Sequence, residues 1–151
     1  MKEEIKEITQ NLLGNMGFSD IVVEVEETEE AIKVNVNALP ENSGILIGYH
    51  GEGVDALQLI VNLIVNKDNQ DWTRVSVNIN DYRERREEAI RAMAERAASN
   101  AVLTGKEIVL NFLPSHERRI AHMFLSENDQ VETHSEGYGK TRRLIISPKT
   151  A

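Results

Sequence analysis

The sequence has no cysteine, which removes disulfides and thiolate metal sites from consideration. Aromatics are scarce, at 5%, with a single tryptophan. No apolar run approaches the roughly 20 residues that span a bilayer. The amino terminus, Met1-Lys2-Glu3-Glu4, has no secretory pattern, and there is neither an internal repeat nor a low-complexity segment. The expectation is a cytoplasmic protein without membrane insertion. What is present suffices for packed cores: 151 residues, 40% of them apolar, make one domain or two small ones.

Positive charge is also in short supply, with a formal net charge of −8. Its distribution is uneven. Residues 1–43 hold 3 basic and 10 acidic side chains, residues 44–100 hold 7 and 9, and residues 101–151 hold 7 and 6. Binding of an anion depends on the local field, so only the carboxy-terminal third suits one by charge. The acidic amino end, with Glu24, Glu26, Glu27, Glu29 and Glu30, reads as a solvated face.

Hydrophobic periodicity sets the elements. Ile5, Ile8, Leu12 and Leu13 predict a helix over 3–16. Alternation at Ile21, Val23 and Val25, and again at Ile32, Val34, Val36 and Ala38, predicts two strands joined by a hairpin at 27–30. Pro40 and Gly44 mark a break, followed by a short helix at 44–47. Val54, Leu57, Ile60, Val61 and Ile64 predict a largely buried helix over 53–66. Val75, Val77 and Ile79 form a third strand, and Trp72 is read as packing at its start. A long helix over 82–103 follows, with Ala89, Ile90, Met93, Ala94, Ala97, Ala101 and Val102 on its apolar side. Beyond Gly105 a second small α/β unit begins. It has a short strand at 108–112, a helix at 115–126, a strand at 131–136, a turn at 137–140 and a last strand at 144–146.

The segment Ile47-Gly48-Tyr49-His50-Gly51-Glu52 stands out. Two glycines separated by two residues let a chain bend sharply and turn backbone N–H groups toward an anion. A helix starting just after adds its positive end. GXXG is the backbone clamp of the KH module. The pattern alone is weak, but the order α-β-β-α-α-β is that of a type II KH domain with a three-stranded sheet, and the glycines fall between its two consecutive helices. On the 115–126 helix, Arg118 and His122 lie about 40° apart by the helical period. Ile120 and Phe124 fall roughly opposite, so the apolar pair is expected to face a core while Arg118 and His122 face out. Arginine offers a fork of donors to phosphate, and histidine stacks on a base or donates to phosphate.

Several separate stretches occur together: Asn80-Asp81-Tyr82-Arg83-Glu84-Arg85-Arg86, the run from Leu113 to His122, Val131 to Gly137, and Arg142-Arg143-Leu144-Ile145-Ile146. With the GXXG junction they resemble the Jag family of bacterial proteins, also called KhpB or EloR. The resemblance covers residues 44–148 by motif and the first forty by element order. It implies an α+β chain with a type II KH domain at 1–80 and a small α/β R-x-x-x-H domain at 81–151. It further implies cytoplasmic single-stranded RNA binding, with single-stranded DNA as a second ligand, in RNA regulation linked to cell elongation or division. A small KH-domain partner protein, or self-association, is implied as well. Many relatives carry an additional amino-terminal Jag domain and linker, and the expectation is a chain without them. Tyr49 and His50 also stand where the family loop usually has a basic residue. This points to weaker phosphate binding there, or to protein contacts.

Rival chemistries are poorly supported. Gly139-Lys140-Thr141 ends like a phosphate-binding loop, but His134 occupies the place of its first glycine. Gly48, Gly51 and Gly53 run in the reverse of the dinucleotide spacing. The histidines at 50, 116, 122 and 134 have no zinc spacing. No enzyme, metal or cofactor is expected. The residues assigned to RNA are therefore Gly48, Tyr49, His50 and Gly51 at the backbone, Arg118 and His122 at phosphate or base, and Lys140, Arg142 and Arg143 as an electrostatic rim. Tyr49 and Tyr138 sit in loops, where a base could stack or where they are simply exposed. The alternative is a protein-interaction scaffold whose KH surface mainly mediates dimerisation with another KH-domain protein.

Overall fold

The computed structural model describes residues 1–149. Residues 150 and 151, the end of the expected second module, lie outside the described residues. The chain divides into two compact units, Met1–Arg83 and Glu84–Ala151.

In the first unit the order is α1 (Lys2–Asn15), β1 (Ile21–Glu27), β2 (Ile32–Ala38), α2 (Pro40–Ile47), a single 3-10 turn (Tyr49–Gly51), α3 (Glu52–Val65) and β3 (Val75–Ile79). The sheet runs β1-β2-β3. β1 and β2 are antiparallel, from Ile21 opposite Ala38 to Glu27 opposite Ile32. β2 and β3 are parallel, which demands a crossover, and α2 and α3 supply it. Strand alternation puts Val23, Ile32, Val34, Val36, Val75, Val77 and Ile79 into one core with Ile5, Leu13, Leu46, Val54, Leu57 and Val61 of the helices. Thr28 closes the β1–β2 turn, its hydroxyl donating to the Ala31 carbonyl at 2.8 Å and accepting from the Ala31 N–H at 3.2 Å.

Two expectations need correction here. The helix before the glycine loop begins at Pro40, not near 44. Proline is read too easily as a break, because at a helix's first position its missing N–H loses nothing. Secondly, α3 is not largely buried. Val54, Leu57, Val61 and Asn62 are buried, whereas Ile60 and Ile64 are exposed together with Leu59 and Leu63.

A row of side-chain amides ties α3 to the free edge of β3. Asn62 donates to the Val75 carbonyl at 2.7 Å and accepts from the Val75 N–H at 2.9 Å. Asn66 does the same for Thr73, at 2.8 and 2.6 Å. Gln58 Oε1 accepts from the Val77 N–H at 3.0 Å, and Arg83 Nε donates to the Val77 carbonyl at 3.0 Å. Positions 58, 62 and 66 are one turn apart, so a single helix face serves as a substitute strand. Unpaired edge groups invite foreign strands, and here they are satisfied internally.

The second unit holds most of α4 (Tyr82–Thr104), then β4 (Ile108–Val109), α5 (Ser115–Leu125), β5 (Val131–Glu136) and β6 (Arg143–Pro148). Its antiparallel sheet runs β4-β6-β5. Ile90, Ala94, Ala97, Ala98 and Ala101 of α4 pack with Leu110, Leu113, Ala121, Leu125, Val131, Leu144 and Ile146. Ala89 and Val102, expected on the apolar side of α4, are exposed. Glu117 is 2% exposed. Arg86 holds it by two hydrogen bonds, Nε to Oε2 at 2.8 Å and Nη2 to Oε1 at 2.9 Å, the fork geometry that makes a buried carboxylate tolerable.

The amide row makes a stability prediction. Asn62→Ala strips both partners from the Val75 peptide and should lower the unfolding free energy by about 2 kcal/mol or more. Denaturant titration measures it. A loss under about 0.5 kcal/mol would mean that water replaces the amide at no cost.

Candidate nucleic-acid interface

The glycine loop stands at the junction of α2 and α3. Gly48 (φ 71°), His50 (φ 52°) and Gly51 (φ 79°) all take positive φ, where glycine is at ease and histidine is not. Tyr49 is 67% exposed. Its ring centroid lies 4.0 Å from that of His50, with the planes tilted by 54°. α3 starts immediately after, and its first turn carries Glu52 and Asp55. Asp55 pairs with Arg83 at 3.5 Å. The loop thus offers backbone and two rings at a helix start, with no lysine or arginine between its glycines.

A third glycine matters that the two-glycine pattern does not include. A Cβ at Gly53 would overlap the Leu46 carbonyl oxygen and approach that of Ile47 to 2.8 Å. Gly53 therefore sets how closely the end of α2 meets α3. The signal for it is present in the run Gly48, Gly51, Gly53, but the more familiar GXXG spacing hides it.

In the second unit, Arg118 and His122 share α5 as expected, but the buried stripe of that helix is Glu117, Ala121 and Leu125. Phe124, expected in the core, is 37% exposed, and Ile120 is only partly buried against the core. With Glu117 turned inward, α5 is rotated from the orientation its apolar residues suggest. By the helical period Arg118 lies about 20° from Leu125 and His122 about 60°. The pair therefore sits on the shoulder of the buried face, not opposite it. Both side chains reach back into the unit: Arg118 Nη1 donates to the Leu113 carbonyl at 3.1 Å, and His122 Nδ1 is hydrogen-bonded to the Thr133 hydroxyl on β5.

The expected rim lies on the β5–β6 connection. Lys140 is exposed. Arg142 Nη1 donates to the Gly137 carbonyl at 2.8 Å, and Arg143 Nη1 to the Lys140 carbonyl at 2.6 Å. The Arg143 guanidinium also lies 5.3 Å from the centroid of the Phe112 ring, within cation–π range. These arginines brace the turn and still have further donors to present. Tyr138 is 90% exposed. Trp72 does not pack at the start of β3; it is 65% exposed, at a groove lined by Asp55, Gln58, Leu59, Asn62, Arg74 and Val75. The glycine loop belongs to one unit and the Arg/His helix to the other. Among the described residues, no group of three or more potential metal ligands comes together, and no helix is long and apolar enough to cross a membrane.

Two family descriptions match: the KH domain of KhpA/KhpB over residues 2–79 and the R-x-x-x-H domain over residues 88–148. The chain belongs to the Jag/KhpB family. KH and R-x-x-x-H domains are nucleic-acid-binding modules without catalytic chemistry. The chain is 40% identical over 150 residues to the RNA-binding protein KhpB of Clostridium symbiosum, covering 99% of this chain and 67% of that protein. It is 33% identical over 135 residues to the RNA-binding protein KhpB of Bacillus subtilis (strain 168), covering 88% and 63%. Against the RNA-binding protein KhpB of Lactiplantibacillus plantarum it is 36% identical over 104 residues, 69% of this chain and 32% of that protein. The chain thus spans about two thirds of the first two relatives and about a third of the last.

The glycines predict opposite outcomes for one substitution. Gly53→Ala should destabilise the first unit by roughly 3 kcal/mol, because its new methyl meets backbone that cannot step aside. Gly44→Ala, which meets nothing within 4 Å inside α2, should stabilise by about 0.5–1 kcal/mol through helix propensity. Thermal unfolding of the two variants checks both signs.

Proposed function

We propose that the chain binds single-stranded RNA through two sites, one in each module, with residues 1–80 and 81–151 as the modules. The observation that carries this reading is the GXXG turn at the head of α3, exposed at Gly48 and Tyr49, with left-handed backbone at Gly48, His50 and Gly51. Such a turn meets a sugar-phosphate backbone through main-chain groups. In the second module, Arg118 and His122 are held by Leu113 and Thr133. This fixes their orientation before a ligand arrives, which reduces the ordering cost of binding. Lys140, Arg142 and Arg143 add positive field. The relatives bear the name RNA-binding protein, which supports the same ligand. Single-stranded DNA is the second ligand, and the cytoplasm the compartment. A tie to cell elongation or division rests on family membership and on no residue described above.

Two variants of the full chain test the sites. Tyr49→Asp with His50→Asp keeps both glycines and adds charge against phosphate. Arg118→Ala with His122→Ala removes the pair. Each should weaken binding to single-stranded RNA, and the second more, because the carboxy-terminal third carries the only net positive charge. The slope of log affinity against log salt should become shallower by about 0.7 if Arg118 holds one phosphate of a single strand. The alanine pair should also lose some stability through its ties to Leu113 and Thr133, so affinity is compared on folded protein. Unchanged affinity in both variants would remove the RNA reading.

A second reading has its own observation. Leu59, Ile60, Leu63 and Ile64 are 42–60% exposed on one face of α3, and helix neighbours at these spacings form one patch. This favours a protein contact, with another KH-domain protein or a second copy as partner. Leu59→Glu with Leu63→Glu should leave the fold intact and abolish association measured by light scattering. Because the contact is apolar, association in the unaltered chain should not weaken as salt rises. Identical masses for the two proteins at all concentrations, with and without the partner, would dismiss it.

A further inference from the structure

The chain between β3 and α4 adopts an unfavourable path. Asn80 and Asp81 are both left-handed, at φ 49° and 55°, a region that opposes any residue with a Cβ. Compensating bonds surround them. The Asn80 amide bridges Ala38, accepting from its N–H at 2.8 Å and donating to its carbonyl at 2.9 Å. The Asn80 N–H donates to the Val36 carbonyl at 2.9 Å. Asn78 Oδ1 accepts from the N–H groups of Ile79 and Arg83, at 3.0 and 3.2 Å. Arg83 is anchored in turn, Nε to the Val77 carbonyl and Nη2 to Gln58 Oε1, both at 3.0 Å.

Between these anchors stands Tyr82, partly buried against the first core. Its ring lies against Gly51: a Cβ there would come within 2.5 Å of Tyr82 Cε1 and 3.2 Å of Cζ and the hydroxyl oxygen. Gly51 is buried, so the ring is the surface it rests on. The bond that closes the turn itself, from the Gly51 N–H to the Gly48 carbonyl, is long, at 3.4 Å. Strained backbone persists only where its surroundings enforce it, and what this strain delivers is an aromatic floor beneath the second loop glycine.

We propose that Tyr82 is a positioning residue for the glycine loop, acting through Gly51 to keep the backbone of Tyr49 and His50 in the shape that meets a phosphate. This rests on the reading that the loop binds RNA. Tyr82 supplies no charge, so its removal changes how often the loop is in its binding shape and not how many phosphates are neutralised.

The test uses the full chain, a fluorescent single-stranded oligouridine and proton NMR. In the unaltered protein the Gly51 α-protons should be shifted by the ring current of Tyr82. Tyr82→Phe should retain that shift and bind within about twofold, and Tyr82→Leu should lose it and bind about fivefold more weakly. The salt slope of Tyr82→Leu should stay unchanged, since no phosphate contact is lost. A merely structural tyrosine would lower the melting temperature and leave the affinity of folded protein alone. If Tyr82→Leu, folded by its amide spectrum, binds as the unaltered chain while Tyr49→Asp with His50→Asp does not, the positioning role is overturned and the loop reading stands. If neither weakens, both fall. Should Tyr82→Leu fail to fold, the unaltered protein decides, because Gly51 α-protons at random-coil positions overturn the proposal and a ring-current shift kept in Tyr82→Phe supports it.

Discussion

The carbonyl oxygens at the end of α2 lie so close to Gly53 that no side chain fits between them. Much of the first unit follows from this contact. It fixes where α3 starts relative to α2, and so forces the four intervening residues, Gly48 to Gly51, into a tight turn. It also fixes the line along which α3 runs, which decides that Gln58, Asn62 and Asn66 face the edge of β3 while Leu59 and Leu63 face solvent. A shift of α3 by a fraction of an ångström would lengthen bonds that now measure 2.6 to 3.0 Å. The glycine that sets the helix–helix approach is thus distinct from the two glycines of the GXXG turn.

The second unit depends on a different constraint. Its small core is rich in alanine, and a buried acid stands within it. Glu117 is admitted because Arg86 meets it with both prongs of its guanidinium. Burying a carboxylate alone would be prohibitive, and burying it paired is tolerable when the geometry is good. Its inward position turns α5 and brings Arg118 and His122 down onto the shoulder of the core. An ion pair inside the module therefore sets how Arg118 and His122 are presented at its surface.

The strands of the first unit, the order of elements and the α-β-β-α-α-β arrangement were legible, because alternation at Val23, Val34, Val36, Val75 and Val77 is a local property and the sheet preserves it; the strand expected at 108–112 is only Ile108–Val109. The facing of α5 was not. Apolar periodicity assigns Phe124 to the core and gives Glu117 no reason to enter it. The reason is a residue 31 positions earlier, and no window on a helix contains it. The exposure of Ile60 and Ile64 escaped for a related cause: an apolar stripe tells that a helix has a face to bury, not whether the same chain supplies the cover. Trp72 is read as packing from its place before the third strand, and that place carries no information about which side of a loop its ring takes. The GXXG turn was readable as glycine chemistry. Its support by Tyr82 was not, since it runs through a left-handed dipeptide, Asn80-Asp81, whose conformation depends on the amide bridge to Ala38.

The amide row along β3 also bears on how this sheet can meet others of its kind. A three-stranded sheet has two borders, and polymers built by strand pairing need both, one to accept and one to offer. Here one border is occupied by Gln58, Asn62, Asn66 and Arg83 of the same molecule. Only the β1 border is left for pairing, so a folded molecule that joins another through this sheet has no second border from which to extend. Growth by this route stops at two, and the first unit carries its own chain terminator.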